Sequence, residues 1–381
     1  MDAARRTLLR QHLALALVPG LGPKLTQALL ERFGTPERIL AATAAELERV
    51  PLIGTKLAKQ FADGFARADV EREWNLLETH GVDVILRDDA SYPARLRPYD
   101  SAPSLLYCRG RFLPEDDRAI GIVGSRMCTS YGKNVAAKLA EGLARAGWTV
   151  VSGLARGIDA CAHRGALDAG GRTIAVLANG LSTIYPPEHA DLAQEVISHG
   201  ALLTETPMTV APQAGMFPAR NRIISGLSRA VVIVEANVRS GALITASHAA
   251  EQGVDVYAVP GAVDSPASAG CLDLIRKGAR LIRNADDLIE DLQGLSPPMA
   301  KEKREPNLFE PSIDPPPAIE AIPPPTDPKQ RRVWDALESP RSVDDLVREL
   351  ELSPPELVRL LMTMELTKKV KRLPGNQYAR R

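Results

Sequence analysis

Four short stretches hold the residues whose types and spacing could do chemistry. They are Gly124-Ser125-Arg126; Ser152-Gly153 with Arg156, Asp159 and His163; Arg220-Asn221-Arg222; and Glu235 followed by Arg239-Ser240-Gly241. Each combines a basic side chain with glycine, serine or an expected helix start. Arginine presents a planar fork of donors that suits phosphate oxygens. Glycine lets backbone amides approach an anion, and a helix N-terminus adds partial positive charge. One such loop is a weak signal. Four that converge on one edge suit a strand of phosphates better than a single nucleotide, which needs only one cradle. The dinucleotide fingerprint G-x-G-x-x-G is absent from the loop Gly121–Gly132.

A catalytic reading needs an acid–base pair or an activated nucleophile. Ser125, Asp159, His163 and Glu235 could be cast in those roles, yet no triad signature, phosphate-loop lysine or metal-ligand run accompanies them. The plainer reading pairs Asp159 and Glu235 with the arginines, makes Asn221 a helix cap, and packs His163 inside a helix face. Cys128 has no neighbour in sequence that would activate a thiol. Catalytic residues, metal ligands and cofactors are therefore expected to be absent.

The elements that must position these loops lie between about residues 118 and 292. Six short runs rich in Val and Ile read as strands: A-I-G-I-V-G, W-T-V-V-S, T-I-A-V-L-A-N, A-L-L-T-E, A-V-V-I-V-E-A and D-V-Y-A-V-P-G. They barely alternate, so both faces should be buried, and helical stretches separate them. This predicts an α/β fold with a Rossmann-like, doubly wound, mostly parallel sheet, whose ligands bind at the carboxyl ends of the strands. All four stretches fall at those ends.

Residues 1–85 read as a helical domain. Val18-Pro-Gly-Leu-Gly-Pro-Lys and Val50-Pro-Leu-Ile-Gly-Thr-Lys each join a helix end to a glycine turn and a new helix, in the manner of a tandem helix-hairpin-helix (SAM-like) unit. Such a turn can offer amides to a phosphate, or the hairpins can simply pack. Residues 86–292 form the expected core. Residues 293–330 read as a proline-rich linker, with eleven prolines between Ser296 and Gln330. Residues 331–381 read as a winged-helix-like module of three helices, with Ser353 capping the third. A basic hairpin follows, turning at Pro374-Gly375-Asn376. The wing could touch duplex phosphates, or the module could serve protein contact or dimerisation.

Net charge is zero, with 47 basic and 47 acidic residues, but the last fifteen residues hold six basic side chains and no acidic one. Aromatics are 4% of the chain, too few for a long stacking platform, so backbone contacts must carry most of any nucleic-acid affinity. The four cysteines are scattered without metal spacing, and no signal peptide or membrane span is read, which suggests a reduced cytoplasmic protein.

Together these stretches resemble the DNA-processing protein A family (DprA/Smf). The resemblance runs from Y-P-A-R-L-R-P-Y-D-S-A-P-S-L-L-Y-C-R-G at Tyr92 through I-V-G-S-R, S-G-L-A-R-G-I-D-A-C-A-H-R-G-A-L, T-I-A-V-L-A-N-G and F-P-A-R-N-R-I-I-S-G-L-S to V-I-V-E-A-N-V-R-S-G-A-L-I-T-A and A-V-P-G. It implies a non-enzymatic, dimeric protein that binds single-stranded DNA. It also implies protection of incoming DNA and loading of a RecA-type recombinase during natural transformation (competence). It points to Ser125, Arg126, Arg156 and Arg220–Arg222 as DNA contacts. With the loops above, the expected contact set is Gly124, Ser125, Arg126, Gly153, Arg156, Arg220, Asn221, Arg222, Arg239, Ser240 and Gly241. Ser182, His189, Asp255 and Leu272 depart from the family pattern. The competing reading is a Rossmann-like enzyme acting on a nucleotide monophosphate.

Overall fold

The computed structural model describes residues 2–295 and, further on, 325, 327–337, 341–350, 352–367, 369–373 and 377–380. Most of the expected linker and the expected wing turn at Pro374–Asn376 lie outside the described residues. The chain divides into two compact units, Met1–Met299 and Ala300–Arg381.

Six helices open the first unit: α1 (Ala3–Ala16), α2 (Pro23–Phe33), α3 (Pro36–Leu40), α4 (Ala44–Leu47), α5 (Thr55–Arg67) and α6 (Val70–His80). Local chemistry sets their ends. Asp2, Thr35 and Asp69 cap with their side chains, and Thr43 with Glu46 forms a capping box. The two hairpin copies differ at one informative position. Gly20 turns the first at φ +83°, and Leu52 occupies the matching place in the second at φ +73°, 75% exposed. A leucine there costs about 1–2 kcal/mol relative to glycine, so the degraded copy keeps its shape at a penalty. Leu15, Val18, Leu29, Ile39, Val50 and Phe61 bury a separate small core beneath both turns.

A nine-stranded sheet follows: β1 (Val82–Leu86), β2 (Leu105–Gly110), β3 (Ala119–Val123), β4 (Thr149–Ser152), β5 (Thr173–Val176), β6 (Gly200–Thr204), β7 (Ala230–Ile233), β8 (Asp255–Ala258) and β9 (Arg280–Leu281). Their spatial order is β1-β2-β6-β5-β4-β3-β7-β8-β9. Seven strands from β6 to β9 pair in parallel, while β1 and β2 run antiparallel at one margin. Helices α7 (Ser130–Arg145), α8 (Ile158–Asp168), α9 (Ala190–His199), α10 (Met216–Leu227), α11 (Ala242–Glu251), α12 (Ala269–Arg276) and α13 (Ala285–Leu295) connect and flank them. The six expected strands are all present, and β3 to β7 are buried throughout. The chain winds outward from β3 to β6, then returns to place β7 on the other side of β3. The switch point therefore lies between the ends of β3 and β7. A domain boundary at 85/86 falls inside β1, where Ile85 pairs with Leu106, and one at 292/293 falls inside α13.

The second unit contains α14 (Pro328–Ala336), β10 (Arg341–Ser342), α15 (Val343–Leu350), α16 (Pro354–Leu366), β11 (Val370–Leu373) and β12 (Gln377–Arg380), with strand order β10-β12-β11. Val333, Trp334, Leu346, Leu361 and Tyr378 are among its buried core. Ser353 holds the N-cap position of α16 but its side chain makes no capping bond, contrary to expectation. Ser342 and Asp345 bond reciprocally at the start of α15 instead. Among the described residues, no helix is long and apolar enough to cross a membrane, and no group of three or more His, Cys, Asp or Glu could hold a metal ion.

Candidate nucleic-acid interface

At the switch point the loops after β3 and β7 border a cavity of about 580 Å³. The first loop is locked from below. The Ser125 N–H donates to Glu235 O at 2.7 Å, and the Met127 N–H donates to Ser125 Oγ at 3.2 Å. Glu235 is buried and fully engaged: Thr129 N–H reaches Oε2 at 2.8 Å, and Thr129 Oγ1 donates to Oε1 at 2.6 Å. It anchors the N-cap of α7 and is not paired with an arginine. Arg126 is exposed, and no carboxylate pairs with it among the described residues. Its guanidinium lies 4.7 Å from the Phe217 ring centroid, and Phe217 tilts against Tyr185 at 5.8 Å. A ring orients the charge without neutralising it, so the donors stay available to an anion.

The loop after β4 is built around two buried side chains. Asp159 Oδ2 accepts the N–H groups of Gly153 (3.1 Å) and Ala155 (3.4 Å), and burial raises the carboxyl's pKa. His163 is fully buried. Its Nε2 accepts the Leu154 N–H at 3.3 Å, and its Nδ1 lies 2.7 Å from Thr173 Oγ1, whose proton goes to Val150 O. Nδ1 therefore carries the proton of a neutral ring, and burial holds the pKa at about 3. His163 holds the loop, as the plainer reading expects. Gly157, at φ +78°, sits directly under the first loop; a Cβ there would run into the carbonyl oxygens of Ser125 and Arg126. Arg156 pairs with Glu188. Both are about half exposed, so water screens the pair and a phosphate can compete for it.

The Arg220-Asn221-Arg222 block differs from the expectation. Helix α10 begins at Met216, so the block occupies its second turn and does not open the helix. Pro218 sits within the first turn, where a missing N–H costs nothing. Arg220 is only 4% exposed, donates to the Val176 carbonyl and fills the space over Gly153, whose missing Cβ makes room for the guanidinium. Burial lowers its pKa to about 10, with the charge of Asp159 opposing that shift. Arg220 thus supplies charge from the floor. Asn221 is not a cap: its Nδ2 donates to Gly241 O at 3.4 Å and ties α10 to the start of α11. Arg222 is 12% exposed and paired with Glu205 at 2.5 Å. After β7, Arg239 is exposed, the Ala242 N–H donates to Ser240 Oγ at 3.3 Å, and Gly241 leaves open space at the N-terminus of α11.

The cavity therefore brings together Gly124, Ser125, Arg126, Arg220, Asn221, Ser240 and Gly241. Gly153, Arg156, Arg222 and Arg239 are not part of its lining. Phe217, Tyr185 and Gly157 were not singled out from sequence, although the first opens F-P-A-R-N-R and the last closes S-G-L-A-R-G. The four departures all lie outside the cavity's lining. His189 Nδ1 donates to Leu154 O at 2.9 Å, and Ser182 N–H donates to Met208 O at 3.1 Å. Asp255 begins β8, at the opposite end of the sheet, and Leu272 lies inside α12. The candidate acid–base groups Asp159, His163 and Glu235 are all buried and engaged, so the arrangement is suited to holding anions.

The sequence profile described as "DNA recombination-mediator protein A" matches residues 83–293. A "SAM-like Helix-hairpin-helix tandem" matches residues 13–67 and a "DprA winged helix domain" residues 315–376. The chain is 34% identical to Protein Smf of Synechocystis over 97% of this chain and 98% of that one. It is 44% identical to DNA processing protein DprA of Bacillus subtilis over 56% of this chain and 72% of that one. Among solved structures, DNA processing protein A of Streptococcus pneumoniae superposes with a TM-score of 0.65 at 32% identity, covering 74% of this chain and 95% of that one. DNA processing protein A of Helicobacter pylori, from a study of its single-stranded DNA binding mode, superposes with a TM-score of 0.51 at 30% identity, covering 56% and 96%.

Proposed function

The chain belongs to the DNA recombination-mediator protein A family, and from that premise we propose that it binds single-stranded DNA along the carboxyl edge of its sheet and loads a RecA-type recombinase onto it. The observation that carries the reading is Arg126: an exposed guanidinium, oriented by Phe217 and not by a carboxylate, at the mouth of a cavity floored by Arg220. In this reading Arg126 and Arg239 take phosphates directly, Gly241 allows close backbone approach, and Gly124 makes room for Ile158 beneath the loop. Arg156 exchanges Glu188 for phosphate, while Arg220 and Arg222 act from below and behind. The ssDNA binding named for the Helicobacter pylori relative supports it. A cytoplasmic homodimer serving natural transformation fits the same role, without chemistry of its own.

Fluorescence anisotropy with oligo-dT tests the reading. Affinity should rise with strand length and fall with salt. Arg126→Ala should weaken it about tenfold and flatten the log–log salt slope by about 0.7, the value of one single-strand phosphate contact. Binding that saturates on a mononucleotide and ignores Arg126 would replace this reading with the nucleotide-enzyme one.

A further inference from the structure

The sheet ends at β1, whose outer edge has no partner strand among the described residues. The register shows which backbone groups face that edge. Arg87 N–H donates to Ser104 O at 2.9 Å, and bonded pairs alternate along an antiparallel ladder. Arg87, Ile85 and Asp83 therefore bond towards β2, while Leu86, Val84 and Val82 turn N–H and C=O outward. The turn that follows closes off Leu86: its N–H donates to Asp89 Oδ2 at 2.8 Å, and its carbonyl accepts the Asp89 N–H at 2.9 Å. Val84 has no such cover, and its outward N–H and C=O are unbonded among the described residues.

A cavity of about 700 Å³ wraps this edge. Leu9, Trp74 and Leu77 line it on one face of the sheet, with Cys108 and Phe112 on the other. Two apolar walls thus flank an open backbone rung. We propose that the β1 edge is a docking slot for an extended, apolar and non-acidic peptide segment of a partner protein, which adds a strand beside Val84. Open edges pair readily with extended chain, and the alternate side chains of that chain would fall on the two walls. Charge sorts the occupants. Glu78, Asp83 and Asp89 line the slot against Arg5 and Arg111, and Arg5 is already paired with Asp89. That balance repels a nucleic-acid backbone and suits a segment flanked by lysines. A second copy cannot offer its own β1, because that strand is recessed between the same two walls. The slot shares no lining residue with the switch-point cavity, so the segment and an anion there bind without competing.

The full chain is titrated with a fluorescein-labelled peptide of about seven residues, alternating valine and threonine between terminal lysines, and read by anisotropy. Two further versions carry N-methyl groups, one on every valine and one on every threonine. Only one of those sets of N–H groups faces β1 in a docked strand. The parent peptide should bind with Kd below about 1 mM. One methylated version should bind at least about tenfold more weakly, while the other matches the parent. Val84→Pro removes the outward N–H and nothing from the ladder to β2, a place where an edge strand tolerates proline. It should lose the peptide by at least about tenfold and keep the wild-type circular dichroism. A parent peptide that does not bind overturns the proposal. So does equal binding, or equal loss, of the two methylated versions, and so does a folded Val84→Pro protein that holds the peptide as wild type does. If Val84→Pro loses its circular dichroism, the methylated pair on the wild-type chain decides. Sedimentation with and without peptide completes the test: a dimer that the peptide dissociates would assign the edge to a second copy and overturn the proposed occupant.

Discussion

Between pH 6.5 and about 3 the fold should lose roughly 4–5 kcal/mol of stability through His163 alone. The imidazole is neutral in the folded protein, where its pKa is about 3, and ordinary in the unfolded chain. The unfolded state therefore binds the extra proton throughout that window. The contribution is fully present above the unfolded pKa and disappears as pH falls towards the folded one, at about 1.4 kcal/mol per pH unit. Protonation would force a charge into a site next to Arg220 and remove the acceptor for the Leu154 N–H. Leu154 is itself held at φ +56°, a conformation leucine rarely adopts, so the loop depends on that bond. Urea titrations at several pH values would show it. His163→Gln, which keeps an acceptor near Leu154 and cannot charge, should start less stable and then converge with wild type as pH falls. Parallel curves from pH 7 to pH 4 would exclude His163 as the source. Since a domain commonly has only about 5–15 kcal/mol in hand, this one side chain can dominate acid unfolding.

Much of the architecture was legible because it follows from burial. The strands β3 to β8 are short apolar runs, mostly Val and Ile with Leu in β6, and parallel strands covered on both faces need not alternate. Strands β1 and β9 were missed for the opposite reason, and β2 was missed although Leu105–Cys108 is a buried apolar run. β1 alternates weakly, with Asp83 exposed, and β9 is two residues long. Their pairing is set by neighbours far away in sequence. The candidate site was legible as a set of loops but not as a set of exposures. Arg220, Asn221 and Arg222 are consecutive, yet a helix turns by about 100° per residue. One points down to Val176, one across to Gly241 and one back to Glu205. Residue type cannot reveal which is accessible; that depends on how α10 lies over the sheet edge. Glu235 is a related case. In sequence it is a carboxylate near an arginine; in the fold it is an N-terminal anchor for α7.

Gly157→Ala should be the most damaging small substitution at the site, costing at least about 2–3 kcal/mol and most of the ssDNA affinity. Two effects add. The backbone there is at φ +78°, ψ −123°, a region nearly closed to residues with a Cβ. The added methyl would also meet two carbonyl oxygens, those of Ser125 and Arg126, which are backbone atoms and cannot swing aside as a side chain would. Relief requires the Gly124-Ser125-Arg126 loop to lift, but that loop is tied to Glu235 and to the Ile158 N–H, which donates to Ser125 O at 3.2 Å. Either the bonds break and stability falls, or the loop shifts and Arg126 leaves Phe217. Gly241→Ala is the matched control, since its backbone is ordinary and its Cβ would meet nothing within 4 Å. Its stability should stay within about 0.5 kcal/mol of wild type. Thermal melts and dT binding of the two variants separate the possibilities. A Gly157→Ala protein that melts and binds like wild type would mean the first loop is not buttressed by the second, and the placement of Arg126 at the cavity mouth would need another cause. A variant that melts lower and binds poorly, beside a Gly241→Ala protein whose melting is unchanged, ties the strain under the loop to the charge it presents.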